Sequence, residues 1–119
     1  MRIVRAFIIG LMLLACDDIV EVEDISGKSI LLVAPANNTV LEQTSLSLFW
    51  ETLEGAEEYK VQVATPDFQA PLQVVLDSTL TKNSLSVELE SGKNYQWRVK
   101  GINSGYETGY SIGTFSINE

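Results

Sequence analysis

Cys16 is the only cysteine and histidine is absent, so the reactive groups of this 119-residue chain reduce to one thiol, 16 carboxylates and a few aromatic rings and hydroxyls. Without imidazole the chain lacks the commonest general base and the commonest transition-metal ligand. Neither catalysis nor a cofactor is expected. A single thiol in an exported chain is an exposed reactive group or an intermolecular bridge unless it is modified. Glu54, Glu57 and Glu58 gather around one turn, but they lack the alternating oxygen ligands and fixed glycine of a calcium loop, and they read as a solvated charged turn. No metal ligand set is expected. Tyr106 and Tyr110, beside Gly105 and Gly109, stand in a loop, where rigid amphipathic rings suit contact with a glycan or a protein. Strand alternation turns Phe49 outward as a third candidate contact, whereas it turns Trp50, Tyr59, Tyr95 and Trp97 inward to a core.

Ahead of the thiol, Arg2 and Arg5 precede an apolar run from Ala6 to Leu14 that ends in Ala15. A positive start, a short apolar segment and a small residue make up a secretory signal, and a run this short does not span a bilayer as a helix. Leu13, Leu14, Ala15 and Cys16 resemble the lipobox of bacterial lipoproteins. That resemblance implies a diacylglycerol thioether on Cys16, cleavage just before it, and an outer-membrane lipoprotein whose only membrane contact is the lipid. Two acyl chains anchor stably because each buried methylene contributes about 0.8 kcal/mol. Asp17 and Asp18 resemble the acidic export signals that send lipoproteins of the Bacteroidetes to the cell surface. Asp77, Ser78 and Thr79 resemble the O-glycosylation signal of the same bacteria, while Asn37, Asn38 and Thr39 form an N-glycosylation sequon for which a bacterial lipoprotein has no use.

The formal net charge of −8 becomes more negative once Arg2 and Arg5 leave with the signal. Such a chain repels phosphate backbones, so nucleic acid is not a partner, and it does not lie flat on anionic lipid. The expected partner is a protein or a glycan. The five acids Asp17, Asp18, Glu21, Glu23 and Asp24 make residues 16–28 a self-repelling, solvated tether behind the lipid.

From Ser29 onward short alternating runs are separated by turn residues, the pattern of an all-β sandwich. The expected strands are Ile30 to Ala34, with Val40 and Leu41 as a kinked continuation, then Ser45 to Glu51, Tyr59 to Val63, Gln73 to Asp77, Leu85 to Leu89, Tyr95 to Asn103 and Gly113 to Ile117. That makes seven. Phe68, in the loop after the third strand, is expected to plug one end of the core.

Three groups of residues then carry a second resemblance. Trp50 ends one strand, Gly55, Ala56 and Tyr59 enter the next, and Leu89, Gly92 and Tyr95 precede Trp97, Arg98 and Val99. Ser29 to Asn118 is similar to a fibronectin type III module, a seven-stranded antiparallel immunoglobulin-like sandwich. The resemblance implies a tyrosine corner at Tyr95, whose hydroxyl bonds an upstream backbone group. It identifies a scaffold rather than an activity. The chain thus divides into a signal at 1–15, a lipidated tether at 16–28 and a sandwich at 29–119. Its expected role is that of a non-catalytic envelope lipoprotein serving as an interaction or spacer module, with glycan capture through Tyr106 and Tyr110, or a structural place in an envelope assembly, as the alternatives.

Overall fold

The computed structural model describes residues 21–118, so the expected signal and Cys16 lie outside the described residues. Alternating apolar residues form eight strands: β1 Leu32–Ala34, β2 Thr39–Leu41, β3 Ser45–Trp50, β4 Glu58–Thr65, β5 Gln73–Leu80, β6 Ser84–Glu88, β7 Asn94–Ile102 and β8 Ser111–Ile117. They make two sheets, a three-stranded one in the order β1-β3-β6 and a five-stranded one in the order β2-β8-β7-β4-β5. The count of eight against an expected seven comes from the first strand, which breaks in two. Pro35 stops β1, and Asn38 takes a left-handed φ of 62° that lets the chain cross from one sheet to the other. Asn37 Oδ1 accepts from the Thr114 amide at 2.8 Å and the Asn38 amide donates to the Thr114 carbonyl at 2.7 Å. The second half then pairs parallel with β8, the exception in otherwise antiparallel sheets.

Facing sides of the two sheets close over Leu48, Trp50, Tyr59, Val61, Val63, Tyr95, Trp97, Val99, Phe115 and Ile117. Trp50 meets Tyr59 edge-on at 5.8 Å between ring centroids, and Tyr95 stacks on Phe115 at 5.6 Å. Gly113 lies opposite Trp97 on the neighbouring strand, and a Cβ there would come within 3.1 Å of the indole nitrogen, so the small residue makes room for the large one. The Tyr95 hydroxyl accepts from the Glu90 amide at 2.9 Å, which is the hydrogen bond of a tyrosine corner. Gly92, with φ of 77°, turns that corner, and its amide donates to the Ile117 carbonyl at 2.7 Å. In β5 the register slips between Val63 and Ala64 of its partner, so Val75 is an extra residue, and both Val75 and Leu76 pack against the core.

The segment before β1 departs from the expected tether. Ile25 is fully buried and rests against Gly55, where an added Cβ would lie 2.8 Å from Ile25 Cγ2. Gly55 itself has a φ of +96°, a conformation open to glycine at little cost. Asp24 closes a local turn by accepting from the Ser26 amide at 3.0 Å, and Lys28 pairs with Glu23. The acids of this segment point to solvent while one apolar residue seats it. Residues 22–28 therefore form a strap over the β3–β4 loop.

Candidate functional site

On the outer face of the five-stranded sheet, alternation puts Lys60 and Gln62 of β4 beside Lys100 and Arg98 of β7, in the directly opposed pairs Lys60–Lys100 and Gln62–Arg98. Phe68 and Tyr110 come to this face from two different loops. Asp67 Oδ1 accepts from the amides of Gln69 at 3.1 Å and Ala70 at 3.0 Å, which curls the β4–β5 loop back over the sheet, and Gln96 Oε1 accepts from the Phe68 amide at 3.0 Å. The Arg98 guanidinium carbon then lies 4.0 Å from the Phe68 ring centroid and 4.1 Å from that of Tyr110. Phe68 does not plug the core, because the curl of its loop carries the ring to the outside.

Arg98 Nε donates to Gln62 Oε1 at 2.8 Å, and Gln62 Nε2 donates to Asp77 Oδ2 at 3.0 Å. Among the described residues no carboxylate lies within salt-bridge distance of Arg98. Its neighbours do have such partners. Lys60 stands 3.8 Å from Asp77 and Lys100 2.6 Å from Glu107, which offsets the repulsion between two opposed lysines. A guanidinium fixed between rings, with amides and ammonium groups around it, is suited to binding a planar anion.

Tyr106 has different surroundings from Tyr110. Its amide donates to Asn103 Oδ1 at 2.8 Å, and it borders a shallow hollow with Glu21, Val22, Glu23, Asp24 and Gly105. Asn103 is the hub of this pole. Its Nδ2 donates to the carbonyls of Glu23 at 2.8 Å and Gly55 at 2.9 Å, while Oδ1 also accepts from the Gly105 amide at 3.0 Å. One buried amide therefore ties the strap, the β3–β4 loop and the β7–β8 loop together. The sequence reading missed it, and the only signal was a polar residue placed at the end of the longest alternating strand.

Phe49 is 44% exposed on the other sheet, bordering a shallow cleft with Val33, Glu51, Thr52 and Asn83. Trp50, Tyr59, Tyr95 and Trp97 are all buried, and the Tyr59 hydroxyl accepts from the Leu53 amide at 3.0 Å. Glu54, Glu57 and Glu58 belong to no metal-holding group among the described residues. Asp77 is tied to Lys60 and Gln62, and Ser78 lies opposite Val61 on the inner side of β5. Among the described residues, shifted ionisations are found on exposed groups. Asp24 is held below its ordinary value of 3.8 by the hydrogen bonds of Ser26, and Lys28 above 10.5 by its bond to Glu23.

No family model and no curated protein matches the chain. Solved structures do. The chain is similar to a fibronectin type III-like protein from Clostridium thermocellum, at 21% identity over 73% of this chain and 97% of that one, with a TM-score of 0.51. It is similar to the protein FN3tt at 13% identity over 73% and 91%, TM-score 0.55, and to a myokine at 13% over 79% and 100%, TM-score 0.54. At these identities the likeness concerns architecture alone, and with the two sheets and the tyrosine corner it defines the chain as a fibronectin type III-like sandwich.

Proposed function

We propose that the protein is a non-catalytic interaction module, carried on the outer membrane by lipid on Cys16, that presents the outer face of its five-stranded sheet to a partner. The observation that carries this reading is the stacking of Arg98 between Phe68 and Tyr110. Two loops and a strand converge on a side chain outside the core, whereas a spacer needs only the core and its corner. The anchor rests on Leu13 to Cys16 and on the need for a second acyl chain to give stable attachment.

Photo-crosslinking in cells tests the face. A crosslinking residue at position 62 should give adducts that the same group at Ser47, on the outer side of β3, does not give. Equal adducts from both positions, or none from either, would reject the face. Metabolic labelling with a palmitate analogue tests the anchor separately: wild-type protein should be labelled and Cys16→Ala should not, and membrane-bound wild type without label would remove the lipid from the reading.

A further inference from the structure

Of the basic residues within the described structure, Lys28, Lys60, Lys82, Lys93, Arg98 and Lys100, three meet on one face, where Asp77 and Glu107 pair with two of them, in a chain whose full-length formal net charge is −8. Long-range repulsion turns polyanions away from such a molecule everywhere except where cations are concentrated. Lys60 and Lys100 are an opposed like-charge pair, an arrangement that disfavours the sheet, and their exposed carboxylate partners hold them only weakly, because solvent screens such pairs. A ligand carboxylate can replace those partners. Arg98 needs no such exchange, having no carboxylate partner among the described residues.

The groups around these cations fix the kind of anion. Gln62 and Gln96 bring amides that already bond Arg98, Asp77, the Phe68 amide and Thr114 but keep further donor and acceptor capacity, and Thr79 and Thr114 bring hydroxyls, all at outward register positions on β4, β7, β5 and β8. Phe68 and Tyr110 add ring surface. Amides and hydroxyls match sugar hydroxyls, rings match the C–H faces of pyranoses, and a guanidinium matches a carboxylate. Along β7, Gln96, Arg98 and Lys100 recur every second residue, about 7 Å apart, which suits an extended polymer. Resting on the reading of this face as the contact surface, we infer that its ligand is a carboxylated polysaccharide, with Arg98 taking a uronate carboxylate and Lys60 and Lys100 taking the carboxylates of neighbouring sugars.

Affinity electrophoresis of the full-length protein in detergent tests this, with polygalacturonate, dextran or poly-glutamate cast in the gel. Polygalacturonate should retard the wild type, and dextran should not. Arg98→Gln should weaken the interaction by at least about tenfold, the loss of one charge-assisted hydrogen bond. The Lys60→Gln, Lys100→Gln double variant should weaken it too while keeping Arg98 between Phe68 and Tyr110, although it removes the Lys100 ammonium 5.0 Å from the Tyr110 ring, and Tyr106→Ala should leave it unchanged. Thermal melting of each variant separates lost binding from lost fold. Equal retardation by poly-glutamate would overturn the glycan assignment in favour of charge alone. No retardation by polygalacturonate, while position 62 still crosslinks in cells, would overturn the ligand class and leave the interaction face standing. Absence of both signals would remove the face and the ligand together.

Discussion

Asn103 shows how much one side chain can organise. Its amide makes four hydrogen bonds to the backbone of three segments, and it is 8% exposed, so each bond lost leaves a poorly solvated group without a partner. Asn103→Ala should lower stability by about 2 to 4 kcal/mol in denaturant titration. Asn103→Asp keeps the acceptor but sets a carboxylate against the carbonyls of Glu23 and Gly55, and should cost at least as much; a neutral result for both variants would refute the hub. Tyr95→Phe, which removes only the hydroxyl from Glu90, should cost about 1 to 3 kcal/mol. Asp24 gives the strap a pH dependence. Its folded-state value is depressed, so its contribution is present above 3.8 and is lost as pH falls through the lower folded value. The protection factor of the Ser26 amide, its exchange rate relative to that of an unstructured chain at the same pH, should therefore fall in acid before those of the strands, and a strap that stays protected until global unfolding would contradict it. Buried rings were legible from alternation alone. The Arg98 stack was not, because its rings arrive from loops whose path no periodicity encodes.

Among the elements, the strap changes where the folded unit begins. Ile25→Ala should cost about 2 to 4 kcal/mol, the range for emptying a buried aliphatic site, and truncation to Ser29 should cost at least as much because the Asn103 bond to Glu23 is lost as well. Calorimetry checks both, and a truncated chain as stable as the full one would return the segment to the role of a free tether. Its burial was hidden in the sequence for a physical reason: Val22 and Ile25 stand among acids without the alternation of a strand, and only Ile25 is buried. The sheet strands were legible from Leu46, Leu48 and Trp50 or Tyr59, Val61 and Val63, where residues two apart share a face. The register of β5 was not, since the bulge at Val75 sends consecutive residues toward the core and erases the alternation there. Likewise the broken first strand read as one kinked run, because sheet switching at Pro35 to Asn38 depends on Thr114, far away in sequence.

At the scale of the whole molecule, the strap, the β3–β4 loop and the β7–β8 loop share one pole, while β8 ends at the other beside the Tyr95 corner. With the proposed lipid on Cys16, residues 17–21 reach at most about 17 Å, so the Asn103 pole faces the membrane and the outer sheet face with Arg98 stands sideways to it. A fluorophore on Ser104→Cys should be quenched strongly by a membrane dye and one on Asn118→Cys weakly; equal quenching would contradict this orientation. With Cys16 lipidated as proposed, the introduced thiol is the sole labelling site, since the chain has one cysteine of its own. The strap also decides what happens when the molecule is pulled. A load entering through the anchor meets the hydrogen bonds of Asn103 and the seat of Ile25 before it reaches any sheet, and these few contacts part while the strands stay paired. Seven residues then straighten, to a reach of at most about 25 Å. If the chain is anchored at Cys16 as proposed, the fold thus carries its own slack, a mechanical fuse that yields under tension and closes again when the tension is released.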